Sequence, residues 1–167
     1  MNDEFRNVVS TEWLYSHLDS PDIRLVDASW YFEHEKRNAE KEFQVKHIPG
    51  ASFLNIDEVR DKNSSLPHMI PSAAAFNSTV RSMGIGDGHK IVVYDGIGMR
   101  SAPRVWWMFR IFGVKDVVVL DGGLPKWESE NRPVSNEIIE RGARHFTIHE
   151  DRSILADKED IFRAIKL

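Results

Sequence analysis

The fold of this chain is decided by the stretch Ile91-Val92-Val93-Tyr94-Asp95-Gly96-Ile97-Gly98-Met99-Arg100-Ser101. It opens with an apolar run, passes through a loop that contains two glycines, and leads into an apolar segment over 102–112. A short apolar run without alternation is typical of a strand buried on both faces of a parallel sheet. The stretch therefore predicts a buried strand, a tight loop and a helix.

Signals for further strands and helices alternate on both sides of this stretch. The predicted elements are a helix over 11–18, a strand over 23–27, a short strand over 52–54, a single helical turn over 57–60, a helix over 72–83, a strand over 117–121 and a short helix that opens at Gly122-Gly123. The mixed charges between residues 33 and 46 predict a solvated face. Strands that alternate with helices at this spacing predict βαβ units, hence an α/β domain with a mainly parallel sheet.

Length and charge limit the class of protein. The chain has 167 residues, enough for one domain with a real hydrophobic core. Its 22 basic and 26 acidic side chains give a net charge of −4 and are spread along the chain, which argues against a nucleic-acid partner. No apolar run approaches the roughly 18 residues that cross a bilayer, and the first residues lack the layout of a secretory signal. The sequence therefore predicts a cytoplasmic protein with no membrane partner.

The chain contains no cysteine, so its own chemistry includes no disulfide, no zinc–thiolate site and no cysteine nucleophile. His145 and His149 lie four apart, as paired metal ligands on a helix do. The Phe, Thr and Ile residues between them favour extended backbone, in which the two imidazoles would lie about 13 Å apart. We therefore predict no metal site and no cofactor.

The glycine loop allows two interpretations. Gly96-x-Gly98-x-x-Ser101 partly matches a dinucleotide-binding fingerprint, and Asp121 follows about twenty residues later, where a ribose-binding acid is expected. Against a nucleotide site, Ser101 replaces the third glycine and Pro103 stands in the first turn of the helix. The favoured expectation is simpler: the amides of this loop face an anion or a carboxylate, because a helix N-terminus lies behind them.

His68 is a candidate for proton transfer. It lies in Leu66-Pro67-His68-Met69-Ile70-Pro71, an apolar segment with a proline on either side, eleven residues after Asp57. A histidine held in a fixed loop can move a proton because its imidazole titrates near neutral pH. The structural alternative is a histidine bonded to a neighbouring carbonyl group.

One pattern is specific enough to indicate a family. Phe43-x-x-x-His47-Ile48-Pro49-Gly50-Ala51-x-x-Leu54 resembles the N-terminal signature of the rhodanese, or sulfurtransferase, family. Other segments of the chain match that family in the right order: Trp13-Leu14, residues 25–31, 67–71 and 101–108, and Leu120-Asp121-Gly122-Gly123-Leu124-x-x-Trp127. The resemblance covers most of the chain. It implies a rhodanese-like three-layer domain, with the sheet flanked by helices on both faces.

The resemblance also accounts for the missing cysteine. Active rhodanese domains carry a cysteine at the end of the central strand, within a loop of the form Cys-x-x-Gly-x-Arg. Here Asp95 stands at the cysteine position, followed by Gly96, with Gly98 and Arg100 at the glycine and arginine positions. A carboxylate cannot carry a persulfide, so we expect a vestigial loop in which Asp95 accepts the loop's own N–H groups.

The chain most resembles the first half of the two-domain 3-mercaptopyruvate and thiosulfate sulfurtransferases. This implies a rhodanese-like domain over 1–133, a linker over 134–153, and over 154–167 the opening helix of a second rhodanese domain that is otherwise absent. In the mercaptopyruvate branch the first domain lends an aspartate and a histidine to a proton relay. The matching positions are Asp57 and His68, which the resemblance makes the catalytic candidates.

The implied function is sulfur transfer from 3-mercaptopyruvate or thiosulfate, through a cysteine persulfide on the second domain, to cyanide or to a thiol such as thioredoxin. The present chain alone is expected to be inactive, because the nucleophile and the arginines that bind the substrate carboxylate belong to that second domain. A different class of function remains open, in which the chain is a solitary inactive rhodanese module that binds a partner protein. An unrelated nucleotide-binding α/β domain is the third possibility.

Overall fold

Five parallel strands form one sheet in the computed structural model, which describes residues 7–166. The strands are β1 (Val8–Val9), β2 (Ile23–Asp27), β3 (Ala51–Phe53), β4 (Lys90–Tyr94) and β5 (Val117–Leu120). Their order in the sheet is β1-β5-β4-β2-β3, with each neighbouring pair parallel. The apolar runs predicted as buried strands are therefore the three central ones, β5, β4 and β2.

Helices follow the strands, as a βαβ pattern requires. They are α1 (Thr11–Ser16), α2 (Ala39–Val45), α3 (Ala73–Ser82), α4 (Ala102–Ile111), α5 (Gly123–Ser129) and α6 (Lys158–Ile165), with 3-10 turns at Glu33–Glu35 and Arg152–Ile154. Side-chain caps fix where two of the predicted helices begin, because a cap oxygen satisfies an otherwise free amide. Ser10 accepts from the Trp13 amide and Ser72 from the Ala75 amide.

The core has two layers, one on each face of the sheet. Along β4, Ile91 and Val93 face a cluster that includes side chains of α3 and α4, with Phe76 stacked on Phe112. Val92 and Tyr94 face the opposite cluster, whose helical members include Leu14 of α1, Phe43 of α2 and Trp127 of α5. This alternation buries β4 on both faces. The expected three-layer α/β architecture, with helices on both sides of the sheet, is confirmed.

Four local features of the structure either were not predicted from the sequence or differ from the prediction. The two-residue strand β1 was not predicted, because two residues carry no periodicity. Helix α2 was also not predicted; it lies within the mixed-charge stretch, is largely exposed as expected of a solvated face, and has a single buried side chain, Phe43. Helix α1 ends at Ser16 rather than Leu18. The predicted helical turn over 57–60 is a hydrogen-bonded turn outside any regular helix, in which the Val59 amide donates to the Asn55 carbonyl.

The segment over 134–153 packs against the domain although it is almost free of regular secondary structure. Phe146 is buried in the α3–α4 cluster, and its carbonyl accepts a 2.8 Å hydrogen bond from Asn77. Thr147 donates to the Asp87 carboxylate, and Arg141 donates to the Gly50 carbonyl. The boundaries predicted at residues 133 and 153 stay predictions.

Among residues 7–166, no helix combines the length and the apolar character needed to cross a membrane.

Candidate functional site

The candidate site lies where three neighbouring strands end. Strands β4, β2 and β3 are adjacent and parallel, so their carboxyl ends meet at one edge of the sheet. The loops that follow them contain Asp95, Trp30 and Asp57, respectively. Ligand sites of α/β proteins are typically found at this edge.

Asp95 fills the loop of which it is the first residue. Its Oδ1 accepts from the amides of Ile97 and Gly98 at 2.9 and 2.7 Å. Its Oδ2 accepts from the amides of Ser101 and Ala102 at the start of α4, both at 2.8 Å. The carboxylate is completely buried. The loop amides therefore face a carboxylate, as expected, and it is one that the chain itself supplies.

A close backbone contact at Gly98 and a hydrogen bond at Gly96 fix the two glycines of this loop. Gly98 has a φ of +98°, and a Cβ atom there would lie 3.0 Å from the Gly122 carbonyl oxygen. The Gly96 amide donates to Ser29 Oγ at 2.8 Å, and Ser29 in turn donates to the Asp27 carboxylate. Burial raises the pKa of Asp27, against the opposing effect of the hydrogen bonds from Ser29. The loop is thus anchored to the end of β2.

Arg100 points away from the loop interior. Its guanidinium makes two hydrogen bonds to the Glu35 carboxylate, at 3.0 and 2.9 Å, and a third to the Trp30 carbonyl at 2.8 Å. The hydrogen bond from Arg100, followed by one from the Phe32 amide, lowers the pKa of Glu35. Glu35 belongs to the stretch predicted as a solvated face, and nothing in the sequence indicated this pairing across 65 positions.

Asp57 and His68 lie together at the adjacent loop. The distance between His68 Nε2 and Asp57 Oδ1 is 2.7 Å. A carboxylate only accepts hydrogen bonds, so Nε2 is the donor in this contact, and in a neutral imidazole the other nitrogen, Nδ1, is then the acceptor. The side chains are 28% and 61% exposed, which leaves the pair open to solvent. The geometry suits a proton acceptor held in one orientation.

The backbone at His68 has an uncommon conformation, with φ of +55°. The His68 carbonyl accepts a hydrogen bond from the Arg104 guanidinium on α4. Arg104 Nε is buried without a partner among the described residues, and burial lowers the pKa of this guanidinium. The Arg104 side chain therefore supports the loop that contains His68 by binding the backbone carbonyl of His68. The sequence placed Arg104 on the helix after the glycine loop but did not indicate this contact.

Trp30 is a second residue that sequence reasoning did not assign to the site. Its indole Nε1 lies 3.1 and 3.2 Å from the two carboxylate oxygens of Asp57. Its ring meets the His68 imidazole edge to face, with centroids 5.1 Å apart. Trp30 therefore touches both members of the pair. The family resemblance included this tryptophan within residues 25–31 without giving it a role.

Four exposed apolar side chains belong to the loops of the site. Phe32 packs against Trp30, and Leu66 and Met69 flank the histidine in sequence. Together with Ile97 of the glycine loop, these side chains are between 37% and 59% exposed.

No group of three or more potential metal ligands comes together within residues 7–166. His145 and His149 lie in irregular backbone, and His145 faces Asp87 at 3.9 Å. The loop amides that a nucleotide phosphate would need are bonded to Asp95.

Comparison with known proteins gives consistent matches. The family model described as "Rhodanese-like domain" matches residues 10–130. The chain is 50% identical over 131 residues to thiosulfate/3-mercaptopyruvate sulfurtransferase 2 of Arabidopsis thaliana, a match that covers 78% of this chain and 38% of that protein. It is 42% identical over 163 residues to 3-mercaptopyruvate sulfurtransferase of Rattus norvegicus, covering 94% and 55%.

A solved structure agrees with these matches. The 3-mercaptopyruvate sulfotransferase SseA from Escherichia coli superposes with a TM-score of 0.90 at 34% identity, which covers 95% of this chain and 61% of that chain. Of the two curated relatives, the matched region spans 38% of the Arabidopsis thaliana protein and 55% of the Rattus norvegicus protein.

Proposed function

Because this chain belongs to the family of rhodanese-like domains, we propose that it is the cysteine-free first domain of a two-domain sulfurtransferase. The curated relatives that it matches are sulfurtransferases. In the proposed protein a second rhodanese domain supplies the cysteine that carries sulfur, and this domain supplies the Asp57–His68 pair. The chain by itself is inactive in this proposal.

One observation supports the proposal more than any other. Asp95 binds four amides of its own loop and is buried, so the position that would hold a nucleophile holds a structural carboxylate. The neighbouring pair is different: His68 is part-exposed, and its Nε2 contacts the exposed carboxylate of Asp57. A closed vestigial loop beside an open acid–base pair suits a domain that assists chemistry on another domain.

The proposed reaction runs from a sulfur donor to an acceptor. The thiolate of the second domain attacks the sulfur of 3-mercaptopyruvate, and the carbon–sulfur bond breaks with its electron pair left on carbon. A proton delivered to that enolate gives pyruvate, and the persulfide then passes its sulfur to cyanide or to a thiol such as thioredoxin. His68, oriented by Asp57, takes part in the relay that handles this proton, which is a general acid–base role.

Thiosulfate is the alternative donor in the proposal. Its sulfite leaving group departs without an enolate and needs no such proton. The two donors therefore differ in how much they should depend on His68. The proposed protein has no cofactor, and the cytoplasmic location expected from the sequence stays a prediction.

The exposed apolar side chains on the loops of the site fit a protein partner. Phe32, Leu66, Met69 and Ile97 are exposed on these loops. In the leading proposal a second rhodanese domain of the same protein covers these side chains. In the alternative, the chain is a solitary module and another protein covers them.

The reading frame downstream of residue 167 separates these two proposals. A continuation into a second rhodanese domain with a cysteine in its loop supports the sulfurtransferase. That longer protein should then transfer sulfur from 3-mercaptopyruvate or thiosulfate to cyanide, and substitution of its loop cysteine by serine should abolish the transfer. A stop codon directly after residue 167 would reject the two-domain proposal and leave the solitary module.

A further inference from the structure

We propose that Trp30 is a positioning residue, which holds the Asp57 carboxylate in the orientation that His68 needs. The inference rests on the proposed function, since it assigns Trp30 a role in the same proton relay. It does not make Trp30 a catalytic residue, because the indole acts on the substrate only through Asp57.

The first reason is the way in which the carboxylate is held. Asp57 is 61% exposed, so packing does little to hold its side chain in one rotamer. Within the described residues, only Trp30 and His68 donate to its carboxylate. Because His68 is the group to be oriented, Trp30 is the independent support.

The second reason is the geometry of that support. The indole N–H bisects the carboxylate, at 3.1 and 3.2 Å from the two oxygens. A donor shared between both oxygens holds the carboxylate group at one place beside the indole and leaves lone pairs of Oδ1 free for His68. An indole N–H is a donor only and does not titrate, so this contact persists whatever the charge of the histidine.

The third reason is that Trp30 is itself held in place. Its carbonyl accepts from Arg100, which is also bonded to Glu35. Its ring packs edge to face on His68 and on Phe32. Arg100 belongs to the glycine loop that Asp95 closes, so this loop supports the backbone of Trp30.

The contact itself is tested by NMR on the 167-residue chain. The chain has five tryptophans, whose indole N–H signals are resolved and assigned by substitution. Asp57→Asn should shift the Trp30 indole signal most among the five. Trp30→Phe keeps an aromatic ring and removes the donor, and it should speed solvent exchange of the His68 Nε2 proton by about tenfold.

Trp106→Phe is the matched control. The Trp106 indole donates to the Val117 carbonyl at 2.9 Å, so this variant also loses one indole hydrogen bond. It should leave the His68 proton unchanged. A His68 signal unaffected by Trp30→Phe, or equally affected by both variants, would overturn the proposal.

Kinetics of the longer, cysteine-containing protein test the consequence. Trp30→Phe should lower kcat for 3-mercaptopyruvate by about tenfold, as expected for loss of one hydrogen bond to a charged group, and should leave KM within twofold. In an Asp57→Asn background the same change should have no further effect, because residues that act as a unit are not additive. Full additivity would contradict a role through Asp57.

The two experiments keep this inference separate from the proposed function. If substitution of His68 leaves sulfur transfer unchanged, the relay fails as a function. The NMR comparison still decides whether Trp30 positions Asp57, since it requires no turnover.

Discussion

His68 Nε2 and Asp57 Oδ1 lie 2.7 Å apart, although the two residues are separated by eleven positions along the chain. The segment between them turns back on itself, and the Asp61 amide donates to the Met69 carbonyl. Arg104 holds the His68 carbonyl, and Trp30 holds the Asp57 carboxylate. The pair is thus fixed from both sides while it faces solvent. We interpret it as an acid–base pair that acts on a group from outside this chain.

The first prediction concerns activity. The purified 167-residue chain should transfer no sulfur from thiosulfate or 3-mercaptopyruvate to cyanide, because it has no thiol to hold a persulfide. Thiocyanate formation measured against a buffer blank checks this. Turnover above the blank that survives repurification would contradict it.

The second prediction concerns the loop that begins at Asp95. Asp95→Cys should restore little or no activity, because a nucleophile without groups that orient the substrate lacks most of the rate enhancement. The variant should also be less stable, by about 2 kcal/mol, since a thiol is a weak acceptor for the four amides that the carboxylate binds.

Thiocyanate assays and urea unfolding measure these two effects. Asp116→Asn is the control for stability: this aspartate is 58% exposed and pairs with Lys90 at the surface, so its loss should change stability by less than about 1 kcal/mol. Robust activity of Asp95→Cys would mean that this domain binds the substrate by itself.

The third prediction concerns the segment over 134–153. Phe146 is buried in the core, so Phe146→Ala should lower the free energy of unfolding by about 3 kcal/mol. Phe162→Ala removes the same ring from α6, where it is 60% exposed, and should have little effect. Equal effects in urea unfolding would show that residues 134–153 are not part of the folded domain.

The fourth prediction concerns pH. The Glu35 pKa lies below its ordinary value of 4.5, first because of the hydrogen bond from Arg100. A depressed carboxyl pKa stabilises the fold above the ordinary value, and this contribution is lost as pH falls through the folded-state pKa. Glu35→Gln should therefore be less stable than the parent chain at pH 6, and the difference should shrink toward pH 3.

Urea midpoints across this pH range provide the measurement. Glu33→Gln is the control, because Glu33 lies on the same 3-10 turn and its side chain makes no ion pair with any residue in the described part of the chain. A pH-independent difference between Glu35→Gln and the parent would contradict the assignment.

Much of the fold could be predicted from the sequence because its central strands are continuous apolar runs. Strand β4 and helix α4 follow from the stretch 91–112, and Ser10 and Ser72 mark where α1 and α3 begin. Helix α2 could not be predicted from hydrophobic periodicity, because charged residues of both signs surround its one buried side chain.

The site was less predictable, because its contacts join distant parts of the chain. His68 was a candidate from its place between two prolines, whereas Asp57 became one only through the family resemblance, since a loop aspartate carries no periodic signal. The contact of Trp30 with Asp57 spans 27 positions and that of Arg100 with Glu35 spans 65. Such pairs follow from the parallel order of β4, β2 and β3, which brings their loops to one edge.

The most direct test of the relay is the donor dependence of His68→Asn in the proposed two-domain sulfurtransferase. Asparagine suits the position because it tolerates the φ of +55°. Turnover of 3-mercaptopyruvate should fall by about 10²-fold, as expected for a lost proton transfer, while turnover of thiosulfate should fall much less. The melting temperature should stay close to that of the parent protein. Equal losses with both donors would contradict the account and make His68 a structural residue.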